Sequence, residues 1–147
     1  MPEEFHVMET VAVIGGLIFA VSVWVIMMFL FAKASKWGLL AARYPVQRVP
    51  DRLRLASGVI NGIRYGYFLS VGLDGNGLYI SIMPIFYPFK SNAVQIPWSE
   101  INDISYGKPM FWTCSDVKLK KHYGMPSLRL YLKIDKKWFQ NPRPTAP

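Results

Sequence analysis

The first 32 residues contain no lysine or arginine, and the stretch from Thr10 to Ala32 contains no charged residue at all. Cysteine and histidine are also scarce, since Cys114 is the only cysteine and His6 and His122 are the only histidines. A single cysteine excludes an intrachain disulfide and a cysteine metal cluster. Two histidines leave few candidate bases for acid–base or nucleophilic catalysis.

The uncharged stretch Thr10–Ala32 is 23 residues long, which at about 1.5 Å per residue spans a hydrocarbon core of about 30 Å. It is apolar on all sides, whereas a soluble core helix of this length normally carries a polar stripe. Ala32-Lys33-Ala34 resembles a signal-peptide cleavage site, but Glu3, Glu4 and Glu9 precede a run longer than the usual 7–15 or so residues. We therefore predict an uncleaved transmembrane helix.

All 17 lysines and arginines follow this helix. The positive-inside rule then places residues 1–9 outside and the C-terminal part in the cytoplasm, with Trp37 as an interfacial anchor. The chain after the helix carries 17 basic and 6 acidic residues, a formal net charge of +11. This charge can attract the domain to an anionic leaflet, or it can serve only topology and solubility.

Small residues recur every four positions within the predicted helix, at Ala12, Gly16 and Ala20. This spacing places them on one helix face, where two helices can approach closely and dimerise. Such patterns also arise by chance in apolar helices, so both interpretations stay open.

Residues 33–51 form a juxtamembrane segment and linker in this interpretation. Trp37, Leu40 and Tyr44 have helical spacing, and Pro45 ends the pattern. The short amphipathic segment can lie on the membrane surface or cover the edge of the following domain. The rest, up to Asp51, reads as an extended linker.

From residue 52 the pattern changes to short apolar runs separated by turn residues, which predicts one small, mainly β domain over residues 52–140. Asn61-Gly62 and Asp74–Gly77 are favourable hairpin turns, and a meander is the simplest topology. Asp135–Gln140 can form a short C-terminal helix, and residues 141–147 read as a disordered tail. The predicted strands are Leu53–Leu55, Gly58–Ile60, Ile63–Leu73, Leu78–Met83, Ala93–Ile96, Ile101–Tyr106, Asp116–Lys121 and Leu128–Ile134.

Basic side chains gather on the last two predicted strands. Alternation places Lys118 and Lys120 on one face, and Arg129 and Lys133 can join them from a neighbouring strand, with Lys121 alongside. Such a cluster can bind phosphate headgroups or a protein partner. The competing interpretation is the solvated face of an antiparallel sheet.

Enzymatic signals are weak throughout the sequence. A triad of Cys114, His122 and Asp116 can be drawn, but its spacing matches no motif, and Cys114 reads better as a small buried hydrophobe. We find no phosphate-binding loop, dinucleotide fingerprint or metal-ligand spacing, so we expect no enzyme, no cofactor and no metal.

Nucleic acid is permitted as a partner by a pI of about 9.7. Aromatic residues that can be exposed, Tyr106, Phe111 and Trp112, also permit it. No recognition signature favours nucleic acid, and a membrane tether argues against it.

Three segments carry a resemblance to known proteins. Gly77–Ser81 (GLYIS) with Ile96–Ile101 (IPWSEI) resembles bacterial pleckstrin-homology-like and GRAM-like domains. Lys36–Pro45 (KWGLLAARYP) resembles the juxtamembrane part of small bacterial single-pass membrane proteins. The resemblance implies a seven-stranded bent sheet or small barrel with a C-terminal helix, an inner-membrane location, and no catalytic residues.

Together these features predict a membrane-tethered, non-enzymatic binding or scaffold module at the inner membrane surface. Its partner would be a protein or anionic lipid headgroups. The alternative is an accessory subunit of a membrane complex that is recognised through its transmembrane helix.

Overall fold

The computed structural model describes residues 2–85, 92–108, 112–120 and 124–135. Two helices precede seven strands in this part of the chain. The helices are α1 (Pro2–Ala34) and α2 (Trp37–Arg43), and the strands are β1 (Leu53–Ile60), β2 (Ile63–Leu73), β3 (Gly77–Ile82), β4 (Ala93–Pro97), β5 (Ile101–Gly107), β6 (Cys114–Leu119) and β7 (Leu128–Leu130).

Helix α1 is one continuous helix of 33 residues and extends beyond the predicted stretch at both ends. Its segment Glu4–Ala34 is long and apolar enough to cross a membrane, and the apolar part is not covered by the rest of the protein. The hydroxyls of Thr10 and Ser22 donate to the carbonyls of His6 and Ile18, at 2.8 Å in both cases. These polar groups are therefore satisfied inside the helix.

The chain leaves α1 through a tight turn at Lys36, which has a left-handed φ of 55°. Helix α2 starts at the next residue, and its Trp37 and Leu40 are fully buried while Tyr44 is nearly so. The predicted amphipathic segment thus packs against the sheet. The prediction that Trp37 is an interfacial anchor is wrong, because its ring lies in the core.

The seven strands form one curled antiparallel sheet, a half-barrel, in the order β4-β3-β2-β1-β7-β6-β5. Neighbours along the chain pair within β1–β4 and within β5–β7, as a meander predicts. The first and last strands also pair, with Val59 opposite Arg129. This pairing joins the β1–β4 meander and the β5–β7 meander into one sheet. A single meander pairs only strands that follow one another in the chain, so it does not predict this contact.

The core lies between the curled sheet and α2. Its strand residues follow the two-residue period of a half-buried sheet, and α2 adds a large aromatic side chain from outside the sheet. The fully buried apolar members are Trp37, Leu40, Ile60, Leu69, Leu78, Ile80, Ile82, Val94, Ile96, Ile104, Leu130 and Ile134.

The linker after α2 wraps around the edge strand β4. The Gln95 backbone N–H donates to the Tyr44 carbonyl at 3.1 Å, and Gln95 Oε1 accepts from the backbone N–H groups of Gln47 and Arg48 at 3.0 and 3.2 Å. Further along, Pro50 packs on Gly72, where an added Cβ would lie 2.8 Å from Pro50 Cγ.

Several predicted boundaries are corrected. The runs 53–55 and 58–60 belong to the single strand β1, and β6 begins and ends two residues before the predicted Asp116–Lys121. Strand β7 ends at Leu130 instead of Ile134. The alternation of burial continues nevertheless, since Ile134 is buried and Lys133 is exposed. The predicted helix beyond Asp135 and the disordered tail lie outside the described residues.

Candidate functional site

In the described part of the chain, three hydrogen bonds connect the end of α1 and the two residues after it to the β domain, and we call this region the helix junction. Asn61 Nδ2 donates to the Ala34 carbonyl at 2.8 Å, and the Tyr65 hydroxyl donates to Ser35 Oγ at 3.0 Å. Lys36 Nζ donates to the Gly124 carbonyl at 3.3 Å. The last carbonyls of a helix lack partners within the helix, and Asn61 caps α1 at the Ala34 carbonyl. The other two bonds tie Ser35 and Lys36, just past the helix end, to the β domain.

The β1–β2 hairpin positions the key side chain of this junction. Asn61 and Gly62 have φ values of 50° and 83°, the left-handed pair that a two-residue hairpin of type I′ requires. The Asn61 backbone N–H donates to the Ser127 carbonyl at 2.8 Å and so holds the β6–β7 connection beside the turn. The Asn-Gly sequence thus forms the hairpin and also presents an amide to α1.

The predicted basic cluster is partly neutralised. Arg129 makes a two-pronged ion pair with Asp116, with Nε–Oδ1 and Nη2–Oδ2 distances of 2.5 and 3.1 Å. The hydrogen bond to Asp116 and its negative charge raise the pKa of Arg129 above its ordinary value. Lys118 stands opposite Asp103 in the β5–β6 register. The outer face of β5–β7 therefore carries charges of both signs.

The other members of the predicted cluster lie apart. Lys120 follows the end of β6 and its backbone N–H donates to the Glu100 carbonyl at 2.8 Å. Lys133 lies beyond β7, in an open groove of about 430 Å³ that Tyr106, Lys108 and Thr113 also line. The structure thus brings Lys118 and Arg129 onto neighbouring strands and separates them from Lys133. Lys121 lies outside the described residues.

The small-residue face of α1 is open. Ala12, Gly16 and Ala20 are all exposed, and a Cβ added at Gly16 would meet nothing within 4 Å. This face is therefore available for close approach by a second helix.

The residues of the drawn triad do not form a site in the described part of the chain. Cys114 is buried, and the Asp116 carboxylate is held by Arg129. His122 lies outside the described residues. Among the described residues, no group of three His, Cys, Asp or Glu side chains is arranged to hold a metal ion.

A small cavity of about 120 Å³ lies where the linker wraps around β4. The Tyr44 hydroxyl donates to Glu100 Oε2 at 3.3 Å beside it, and burial together with the Glu100 charge raises the pKa of Tyr44. Gln95 Nε2 finds no acceptor in the described part of the chain. At about 30 Å³ per water molecule, the cavity has room for a few waters.

Sequence reasoning did not find the junction residues Ser35, Asn61 and Tyr65. Asn61 was recognised only as a turn residue, and Tyr65 only as part of an apolar strand. The sequence gives one indirect signal. Only four residues, Lys33–Lys36, separate the end of the apolar stretch from Trp37, which indicates that the following domain lies close to the helix end.

Comparison with protein-family models, curated proteins and solved structures found no match to this chain.

Proposed function

We propose that this protein is a single-pass membrane protein whose β domain is a non-enzymatic binding module at the cytoplasmic face of a bacterial inner membrane. The observation that carries the proposal is the helix junction, where an apolar, uncovered helix is hydrogen-bonded directly to the sheet. Such a junction holds a folded domain at the surface from which the helix emerges.

Anionic lipid headgroups are the ligands that the charge distribution favours. The chain after α1 has a formal net charge of +11, and each Lys or Arg close to an anionic surface contributes about 1 kcal/mol of attraction. Lys118 and Lys120 are the first contacts in this proposal because they lie on or next to β6, which leads into the loop at the junction. Lys121, Arg129 and Lys133 are further candidates, with Arg129 weakened by its pairing to Asp116.

The proposed fold class is a pleckstrin-homology-like domain. A curled antiparallel sheet of seven strands supports it, as does the direct link between the two segments that carry the resemblance. The Trp98 indole N–H donates to the Asp74 carbonyl at 2.8 Å, so the IPWSEI turn packs on the turn that precedes GLYIS.

A second candidate is an accessory subunit that a membrane complex recognises through α1. The open face of Ala12, Gly16 and Ala20 favours it, because small residues let helices pack closely in lipid. In this case substitutions at Gly16 would abolish association and substitutions at the lysines would not.

The test uses the full chain, because Trp37 and Leu40 belong to the core and a fragment that starts at Pro45 would lack them. The protein is placed in nanodiscs of phosphatidylcholine with phosphatidylglycerol, and native mass spectrometry counts the anionic lipids that it retains. We expect retention that decreases at high salt and decreases in a Lys118→Gln, Lys120→Gln variant.

The matched control is Arg48→Gln with Arg52→Gln, which removes the same charge from the exposed linker. Equal losses in both variants would show that only total charge matters and would overturn the assigned contacts. A wild-type chain that retains no anionic lipid would overturn the lipid ligand and direct the search to protein partners.

A further inference from the structure

We propose that the cavity where the linker wraps around β4 is a binding site for a small carboxylate, whose oxygens accept hydrogen bonds from Gln95 Nε2 and from the Arg43 guanidinium. The inference goes beyond the proposed function, because this cavity is separate from the basic residues assigned to lipid headgroups. It also does not require α1 to cross a membrane.

The first observation is a buried amide with one end unpaired. Gln95 is only 5% exposed and is one of the residues that line the cavity. Its Oε1 accepts from the backbone N–H groups of Gln47 and Arg48, which fixes which end of the amide is the oxygen. Nε2 is buried and has no acceptor in the described part of the chain. A buried donor without a partner costs free energy, so an acceptor supplied by a ligand is favourable here.

The second observation is a cation on the same cavity. Arg43 is the only charged side chain among the described residues that line it. The Tyr44 hydroxyl donates to Glu100 Oε2 at 3.3 Å, and Arg43 in turn hydrogen-bonds to Tyr44. A guanidinium has five N–H donors in a planar fork that matches a carboxylate, more than one such bond uses. An amide donor and a cation on one cavity favour an anionic oxygen ligand.

The size and the remaining walls restrict the ligand further. A volume of about 120 Å³ holds about four water-sized groups, at about 30 Å³ each. Pro45 and Pro97 also line the cavity and give it apolar surface beside the donors. A carboxylate with a short hydrocarbon part, such as acetate, matches this combination of size, charge and apolar wall.

The position of the cavity favours a soluble ligand over a lipid headgroup. Helix α2 begins next to Lys36 in the helix junction, and Arg43 is at its other end. Strand β2 begins beside the Asn61 turn, and Asn76, which also lines the cavity, lies in the turn after its other end. The cavity therefore lies at the ends of α2 and β2 that are away from the helix junction.

The experiment uses the full chain in the nonionic detergent dodecyl maltoside, with ¹⁵N in the glutamine side chains. The chain has three glutamines, Gln47, Gln95 and Gln140. Gln95→Glu identifies the Gln95 signal by its loss and keeps an oxygen for the two linker N–H groups. Sodium acetate then replaces sodium chloride at constant ionic strength. We expect a saturable shift of the Gln95 amide signal.

Two arginine variants test the assigned contacts. We expect Arg43→Gln to raise the half-saturating acetate concentration roughly tenfold or more, because a charged hydrogen bond is lost. The matched control is Arg48→Gln, which removes the same charge from an exposed linker side chain that does not line the cavity. It should stay within about twofold of wild type, since exposed charges are screened by salt. Circular dichroism checks that each variant is folded.

Three results would overturn the proposal. Equal weakening in both arginine variants would show that acetate responds only to overall charge. A Gln95 signal that does not shift, or shifts linearly without saturation, would mean that the cavity holds only water. Phosphate that saturates at the same concentration as acetate would overturn the assignment to carboxylates. None of these results affects lipid retention in nanodiscs, so the proposed function fails or stands separately.

Discussion

Ser115 is a small polar side chain in the middle of the core, and both of its hydrogen bonds go to the chain that follows β7. Its Oγ donates to the Leu132 carbonyl at 2.7 Å and accepts the Ile134 N–H at 3.1 Å. The side chain thus replaces the ladder bonds that end at Leu130. It keeps Ile134 in the core although the strand has ended.

We predict that Ser115→Ala lowers the free energy of unfolding by about 1–3 kcal/mol, the cost of leaving buried backbone groups without partners. Chemical denaturation followed by tryptophan fluorescence measures the change. The exposed Ser99 is the matched control, and Ser99→Ala should stay within about 0.5 kcal/mol of wild type. Equal stability of the two variants would contradict the assigned role of Ser115.

Tyr44 gives the domain a pH dependence with a definite sign. Burial and the Glu100 charge raise the pKa of its hydroxyl above the ordinary value of 10.0. A raised pKa in the folded state means that the stabilisation is complete below about pH 10 and is lost as the pH rises through the folded-state pKa.

We therefore expect the wild-type melting temperature to decrease more between pH 8 and pH 11 than that of Tyr44→Phe, which has no hydroxyl to ionise. Thermal unfolding at several pH values measures the difference. The control is Tyr67→Phe, which removes an exposed hydroxyl and should retain the wild-type decrease. Parallel curves for wild type and Tyr44→Phe would contradict the prediction.

Two glycines, Gly77 in β3 and Gly38 in α2, have opposite effects on the stability of the fold. An added Cβ at Gly77 in β3 would lie 2.2 Å from the Ile96 carbonyl oxygen, whereas a Cβ at Gly38 in α2 would meet nothing within 4 Å. The first glycine permits the close approach of β3 and β4. The second only weakens a short helix, because glycine has the lowest helix propensity after proline.

We expect Gly77→Ala to lower the free energy of unfolding by about 1–3 kcal/mol through steric overlap. Gly38→Ala should raise it by about 0.5–1 kcal/mol. Denaturation midpoints of both variants against wild type check the two signs. A stabilising Gly77→Ala would show that β3 and β4 can separate at this point without cost.

Most strands were predictable because their signals are local. The Asn61-Gly62 turn locates the β1–β2 hairpin without reference to distant residues, and the alternation from Leu128 locates β7, although it extends the predicted strand four residues too far. The β1–β7 pairing was not predictable, since it joins residues about seventy positions apart in the chain. Trp37 was misassigned because a tryptophan next to an apolar helix fits an interfacial anchor and a core residue equally well.

The candidate site was harder to predict than the fold. The alternation of side chains along a strand predicts which sheet face carries Lys118, Arg129 and Lys133. It does not predict that Asp116 forms an ion pair with Arg129, or that β7 ends before Lys133. The helix junction was not predicted from the sequence. Its contacts are side-chain hydrogen bonds between segments far apart in the chain, such as Asn61 with Ala34.

At the scale of the whole molecule, the balance of charge on the outer face can be altered by one substitution. Asp116→Asn raises the formal net charge from +8 to +9 and releases Arg129 from its ion pair. We expect the full chain in anionic nanodiscs to retain more phosphatidylglycerol, with a steeper dependence on salt. Native mass spectrometry measures the retention.

The control is Asp51→Asn, which makes the same change of charge in the linker, away from the basic strands. Retention that increases equally in both variants would show that Arg129 adds nothing beyond overall charge. Since the Arg129–Asp116 pair is exposed, its loss should change the free energy of unfolding by no more than about 1 kcal/mol.

The helix junction also has a mechanical consequence. Because Asn61, Tyr65 and Gly124 are hydrogen-bonded to three successive residues at the end of α1, the β domain is held in one rotational position about the axis of α1. Each residue added to a helix turns its end by about 100°. Insertion of a single alanine in α1 would therefore rotate the whole sheet by about 100° relative to the N-terminal part of α1, and pairing of two α1 helices would fix which sides of their sheets face each other.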